Sequence, residues 1–167
     1  MRGQMMDLPL TIPSVLEFAA RFHGGVEVVT RTVEGPIHRY DYAALARRTA
    51  SLAHALKGLG VAEGQVLGTL AWNTYRHLEL YYAIPGLGAV CHTINPRLSH
   101  DDIAYIIGHA DDGLIFVDPG FLPIVAAIAP RVQLQRDGPI HRLRRRVGEI
   151  DHHHAIQPRD EVVTLHL

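Results

Sequence analysis

Residues 65–94, QVLGTLAWNTYRHLELYYAIPGLGAVCHTI, decide the fold class. The stretch begins with the mostly apolar run Gln65–Trp72, continues with a helical segment over 73–84, and after a break at Pro85-Gly86 ends with Ala89–Thr93. Strand, helix and strand in this order predict two parallel strands joined by a crossover helix. We therefore expect an α/β domain.

Upstream of this unit the sequence predicts a helix, a hairpin and a second helix. Ser14 is a candidate N-cap for a short helix that stops at Gly24-Gly25. Val26–Thr30 and Pro36–Tyr40 then predict two strands around a tight turn. Asp41 is expected to cap the next helix, which carries one apolar stripe.

Downstream, the alternation of strands and helices continues to about residue 130. Asn73 is expected to cap the helix of the central unit, and Ser99 with Asp102 has the spacing of a capping box. Leu114–Val117 predicts a strand and Phe121–Ile128 a last helix. The sheet should be mostly parallel, with flanking helices.

The composition changes after Pro130, so we divide the chain into an α/β domain over 1–130 and a tail over 131–167. Seven of the 15 arginines lie in the tail, which also holds His152-His153-His154 and no lysine. Apart from the run Val162–Leu167 it shows little periodicity, so we expect it to be poorly ordered. Our hypothesis is that a shifted reading frame or a truncation produced it.

Overall composition excludes several classes of function. A net charge of −1 and the absence of a basic face before residue 130 argue against nucleic-acid binding. The first 16 residues match neither a signal peptide nor a membrane span. The single cysteine, Cys91, forms no internal disulfide, so we expect a cytoplasmic protein.

Three ordered segments resemble a known family: 72–79 (WNTYRHLE), 83–90 (AIPGLGAV) and 92–99 (HTINPRLS). They are similar to the acyl-CoA synthetases of the adenylate-forming superfamily, and most similar to the branch that activates fatty acids. The resemblance covers about residues 12–130 and implies a partial first subdomain of such an enzyme. It implies ATP, magnesium, coenzyme A and a medium- or long-chain fatty acid as ligands of the full-length family.

The residues that this chemistry requires are missing from the sequence. The family holds the nucleotide phosphates with a loop of the form Y-T-S-G-T-T-G-x-P-K-G, and no such loop occurs here. Lys57, the only lysine, lies on a polar helix face and cannot replace the catalytic lysine. We therefore expect an inactive, truncated relative, with no catalytic, cofactor-binding or metal-binding residue and no cofactor of its own. The alternative is a non-catalytic assembly module that associates with itself through an exposed sheet edge.

Several motifs suggest other sites, and each has a simpler structural explanation. Cys91 and His92 should point to opposite faces of a strand, so they form no thiol–imidazole pair. His152-His153-His154 beside Asp151 should bind metal only adventitiously. His100 and His109 should lie on opposite sides of one helix. Asp101 and Asp102 should compensate the dipole of this helix, and Asp111 and Asp112 follow it.

The remaining motifs are explained in the same way. Gly58-Leu59-Gly60 and Gly86-Leu87-Gly88 follow helices, so they should end helices and not bind phosphate. The basic run Arg142–Arg146 should be a solvated segment. A group of aromatic residues should form core and rim, with room for an acyl-pocket or subunit-contact role: Trp72, Tyr75, Tyr81 and Tyr82.

Overall fold

The computed structural model describes residues 7–132 and the backbone of 164–166. The helices are α1 (Ile12–Phe22), α2 (Tyr42–Gly58), α3 (Tyr75–Gly86), α4 (His100–Ala110) and α5 (Leu122–Ile128). The strands are β1 (Glu27–Arg31), β2 (Ile37–Asp41), β3 (Val66–Leu70), β4 (Val90–Thr93), β5 (Leu114–Val117) and β6 (Thr164–His166). None of the helices in the described part is long and apolar enough to cross a membrane.

The larger sheet is parallel, as the sequence predicted. Its strand order is β4-β3-β5-β6, and every neighbouring pair in it is parallel. Strands β1 and β2 form a separate antiparallel hairpin. Strand β6 lies within the run Val162–Leu167, so this part of the tail adds a strand to the sheet. The predicted disorder of residues 133–163, with their basic and histidine runs, falls outside the described residues.

Helices cover both faces of the parallel sheet. On one face, Leu67, Leu114 and Phe116 pack against a layer that includes α2 and α3. On the other face, Leu70, Ile115 and Val117 pack against α4 and α5. Strand β3 therefore leads into a helix on one face, while β4 and β5 lead into helices on the opposite face. This arrangement positions the candidate site described below.

The helix starts confirm some expected caps and correct others. The Asp41 carboxylate accepts the Ala44 N–H at 2.7 Å, and the Ser99 hydroxyl accepts the Asp102 N–H at 3.1 Å, as expected. Helix α1, however, begins two residues before Ser14, because Pro13 is well suited to a first helical turn.

Two bounds of α3 also differ from the expectation. Thr74 and not Asn73 is the N-cap residue, and the helix continues through Pro85 to Gly86. A proline in the last turn leaves only one intrahelical N–H missing, so it does not force the helix to stop earlier. The chain turns from α3 toward β4 at Gly88, whose φ of 74° lies in the left-handed region that favours glycine.

One ion pair joins α2 to α3. The Arg48 guanidinium donates to both oxygens of Glu79, at 2.6 Å and 3.2 Å, and lies over the Tyr75 ring at 5.6 Å. Glu79 is only 5% exposed, whereas about half of the Arg48 side chain is exposed. A bidentate pair of this kind offsets the cost of burying the carboxylate. The Arg48–Glu79 pair therefore holds α3 against α2.

We predict that Arg48→Ala destabilises the chain by about 2 kcal/mol, because the buried Glu79 carboxylate loses its partner. This value is at the lower end for a broken buried pair because solvent reaches Arg48. Urea unfolding followed by circular dichroism measures the change. The matched control is Arg47→Ala on the exposed side of the same helix, which should change stability by less than about 0.5 kcal/mol. Equal effects of the two variants would contradict the role given to the pair.

Candidate functional site

The candidate site lies at the carboxyl end of β3. Ligands of open α/β sheets bind where neighbouring strands lead into helices on opposite faces, since the two connecting loops diverge there. Strands β3 and β4 meet this condition. Between their loops lies a hollow of about 420 Å³. We call it the crevice hollow; its lining includes Trp72, Asn73, His77, Tyr81, Asn95 and Arg97.

The corresponding space between β3 and β5 is bridged by a hydrogen bond. The Asp118 carboxylate accepts the Trp72 N–H at 2.7 Å, and the Asp118 N–H donates to the Leu70 carbonyl at 3.1 Å. The rings of Trp72 and Phe121 lie 5.1 Å apart above this link. The Arg97 guanidinium also lies over the Trp72 ring, 5.8 Å from its centroid. Trp72 therefore contacts residues of both neighbouring loops, and the crevice hollow lies on its β4 side.

A second, smaller hollow lies between β1 and the start of α3. It measures about 230 Å³, and its lining includes Val28, Thr30, Thr74, Tyr75, His77 and Leu78. We call it the α3 hollow. Three residues line both hollows and separate them: Asn73, His77 and Tyr81. Thr74 is 5% exposed, and its hydroxyl has no hydrogen-bond partner.

His77 is the buried titratable group of this region. Its Nε2 lies 2.9 Å from the Thr69 hydroxyl, which itself donates to the His92 carbonyl at 3.3 Å. Which of the two groups donates depends on the tautomer of the imidazole, whose other hydrogen-bond partner is the Trp72 carbonyl. Burial lowers the pKa of His77, against opposing effects of the Trp72 carbonyl and the Asp118 carboxylate. The lowered pKa favours the neutral imidazole at pH 7.

Cys91 and His92 point to opposite faces of the sheet, as predicted. Cys91 packs beside Leu67 against the core on the α2–α3 face, and burial raises its pKa to about 11. Such a thiol is a poor nucleophile at neutral pH. The His92 ring instead contacts Asp112 on the α4 face, with Nδ1 2.9 Å from the carboxylate. The two residues form no catalytic pair.

The buried Asp112 is a residue that sequence reasoning missed. Its carboxylate is 1% exposed and lies against Gly68, where an added Cβ would come within 3.0 Å of it. A glycine in the middle of an apolar strand was the available signal, because such a glycine often marks a close approach by another group. Asp111, its neighbour, ends α4 in a left-handed conformation with φ of 55°.

Other residues considered from the sequence lie apart from the two hollows. Lys57 is exposed in the last turn of α2. Gly60 and Gly88 have positive φ and follow helix ends, as expected for helix-terminating glycines. His109 stacks on Tyr105, and Asp101 pairs with Arg131 at 2.7 Å. Among the aromatic residues expected at core and rim, Trp72 and Tyr81 line the crevice hollow.

Comparison with known proteins agrees with this geometry. The AMP-binding enzyme family matches residues 16–164. The chain belongs to this family. The match runs past residue 130, and the separate origin proposed for the tail remains a prediction.

Three curated relatives share almost half of their aligned residues with this chain. A long-chain-fatty-acid–CoA ligase of Thermus thermophilus is 48% identical over 124 residues, which are 74% of this chain and 23% of the relative. A medium-chain-fatty-acid–CoA ligase of Ectopseudomonas oleovorans is 47% identical over 128 residues, 77% of this chain and 23% of the relative. A 3-methylmercaptopropionyl-CoA ligase of Ruegeria lacuscaerulensis is 48% identical over 128 residues, 77% and 24%. The chain spans about a quarter of the length of these relatives.

Solved structures show the same fold. An anthranilate CoA ligase in complex with anthranoyl-AMP matches with a TM-score of 0.66 and 24% identity, over 77% of this chain and 24% of that structure. A fatty acyl CoA synthetase of Mycobacterium tuberculosis matches with a TM-score of 0.59 and 24% identity, again over 77% and 24%. At this identity the likeness concerns the fold alone. It agrees with the parallel sheet and flanking helices of the described residues.

The buried Asp112 predicts a pH dependence of stability. Burial raises the pKa of Asp112 above its ordinary value, and contact with His92 opposes this only in part. The folded chain then binds more protons than the unfolded chain, so the stabilisation is present at low pH and is lost as pH rises through the raised pKa. We expect the wild type to lose stability relative to Asp112→Asn as the pH rises from about 4, the ordinary pKa of an aspartate, toward neutral.

Urea unfolding of both proteins at several pH values in this window measures the difference. A relative gain of the wild type with rising pH would contradict the assigned direction.

Proposed function

We propose that this chain is the N-terminal α/β part of an acid–thiol ligase that converts a medium- or long-chain fatty acid to its acyl-CoA through an acyl-adenylate. One observation carries the proposal: 47–48% identity to medium- and long-chain ligases over about three quarters of the chain. The aligned segment is about as long as the whole described part of the chain, with its parallel strands and their helices. The reaction would use ATP, magnesium and coenzyme A bound mainly by other parts of the enzyme.

The part played by these residues is to build one wall of the ligand crevice. Trp72 and Asn73 follow β3, and Asn95 and Arg97 follow β4, so the two loops present ring, amide and guanidinium groups to one hollow. Such groups bind and orient a ligand but offer neither a nucleophile nor a strong base. The 167-residue polypeptide contains no phosphate loop of the family's form. By itself it should therefore form no adenylate.

We predict that the purified 167-residue chain exchanges no pyrophosphate into ATP in the presence of a fatty acid, because it lacks the phosphate-binding loop. The same residues should work inside a complete enzyme. A chimaera in which residues 12–130 replace the matching segment of the Thermus thermophilus ligase should form acyl-CoA from a long-chain fatty acid. Its kcat/KM should stay within about tenfold of the parent enzyme, a change of about 1.4 kcal/mol.

The chimaera also tests the substrate class. Tested with a medium-chain acid, a long-chain acid and 3-methylmercaptopropionate, it should keep the preference of the Thermus parent. An unchanged fold with no acyl-CoA formation would contradict the ligase proposal, and pyrophosphate exchange by the chain alone would contradict its inactivity.

An assembly module is the second candidate, and the outer face of α1 favours it. Ile12, Val15, Phe18 and Phe22 recur at helical spacing, and each is between 52% and 60% exposed. The rings of Phe18 and Phe22 lie 4.8 Å apart and form one apolar patch. The opposite side of the helix buries Leu16. An exposed helix face of this kind is typical of an interaction surface.

If α1 drives assembly, the chain should elute as a defined oligomer, and Phe18→Ser with Phe22→Ser should convert it to a monomer. Size-exclusion chromatography with light scattering measures the mass. The matched control is Tyr105→Ser, since Tyr105 is 68% exposed on α4, on the opposite face of the sheet. A wild-type monomer, or an oligomer unaffected by the double change, would rule out the module.

A further inference from the structure

We propose that the crevice hollow holds an oxyanion group of its ligand, a phosphate or a carboxylate, against the guanidinium of Arg97. Only the place of the site rests on the proposed function, which makes this hollow part of the ligand crevice. The chemistry of the bound group follows from the charge of the hollow, from its hydrogen-bonding groups and from its position at the start of α3.

The described lining of the hollow is positively charged. Arg97 is the cationic residue among the described residues that line it, and none of these is an aspartate or a glutamate. Its guanidinium lies over the Trp72 ring and forms no ion pair with a carboxylate of the described residues. Arg48 and Arg76, by contrast, are each paired with a glutamate. A guanidinium without such a partner is well suited to bind phosphate or carboxylate oxygens through two parallel hydrogen bonds.

Uncharged donors lie beside this guanidinium. The amide oxygen of Asn95 accepts the backbone N–H of Arg97 at 3.0 Å, which leaves the amide N–H groups of Asn95 as donors. Asn73 adds a second amide to the lining, and Tyr81 adds a hydroxyl. An oxyanion, which only accepts hydrogen bonds, can bond to all of these groups.

The dipole of α3 acts in the same direction. Thr74 is the N-cap residue of this 12-residue helix, and Asn73, directly before it, lines the hollow. The positive end of the helix therefore lies beside the hollow and favours negative charge there. The Asp118 carboxylate opposes this effect, but it is 1% exposed, does not line the hollow and already accepts the Trp72 N–H.

The size of the hollow and two aromatic rings accommodate the rest of the ligand. A volume of about 420 Å³ lies within the range of small-molecule sites, roughly 300 to 1,000 Å³. Trp72 and Tyr81 are 42% and 40% exposed, so both rings offer apolar surface to the carbon part of a ligand. An uncharged analogue would use the same ring surfaces but would gain nothing from the charge of Arg97. The hollow should therefore distinguish an anion from its uncharged analogue.

The test uses the purified 167-residue chain at pH 7 and the fluorescence of Trp72, which is the only tryptophan of the chain. Three probes share a phenyl ring: phenyl phosphate, benzoate and the uncharged benzamide. We expect both anions to bind at least about threefold more tightly than benzamide, a difference within the range of an exposed ion pair. Added salt should reduce this advantage. Either order of the two anions supports the site, and the tighter anion identifies the group.

Two variants of Arg97 test the assignment of the guanidinium. Arg97→Gln should lower the affinity of both anions to that of benzamide, because it removes the charge. Arg97→Lys keeps the charge without the planar fork and should retain part of the anion affinity. The matched control is Arg47→Gln, which removes the same charge from an exposed position on α2 and should leave binding of all three probes unchanged.

Equal binding of benzamide and the two anions would overturn the proposal. No saturable change of Trp72 fluorescence with either anion at millimolar concentration would also overturn it, as would equal effects of Arg47→Gln and Arg97→Gln. These titrations require no catalysis, so a chimaera that forms no acyl-CoA would contradict the ligase proposal alone.

Discussion

The carboxylate of Asp118 ties the carboxyl ends of the two central strands together. It accepts the Trp72 N–H at 2.7 Å from a position that is only 1% exposed. Charge-assisted hydrogen bonds in such surroundings are among the strongest in proteins. With this bond in place, the loop after β3 cannot separate from the loop after β5. The end of β3 is then open to a ligand on the side of β4.

The hydrogen bond between Trp72 and Asp118 also constrains the positions of nearby polar side chains. Trp72 is held with its ring against Phe121, so the chain turns directly into α3 at Thr74. The first turn of α3 then places His77 over Thr69, near the carboxyl end of β3. A buried imidazole, a buried threonine hydroxyl and a buried carboxylate thus collect at one end of one strand. Buried polar groups are costly, and such a concentration is typical of a functional region and not of a plain core.

Sequence patterns were sufficient for the elements of this fold because those elements depend on local chemistry. The apolar run at β3, the caps at Asp41 and Ser99, and the strand Leu114–Val117 all follow from side-chain type and spacing. The pairings of Asp118 with Trp72 and of His92 with Asp112 did not follow. They join residues 46 and 20 positions apart, and no periodicity encodes a contact between residues so distant in sequence. Only strand order brings them together.

The candidate site shows the same division between local and non-local information. The resemblance placed Trp72, Asn73 and Asn95 in family segments, but it left room for a role in the acyl pocket or a subunit contact only for Trp72. Their role depends on β3 lying between β4 and β5, with α3 on one face of the sheet and α4 and α5 on the other. This topology makes the end of β3 the place where loops diverge, and it requires no catalytic side chain there. A member of the AMP-binding enzyme family can therefore form a crevice in this part of the fold without a catalytic side chain there.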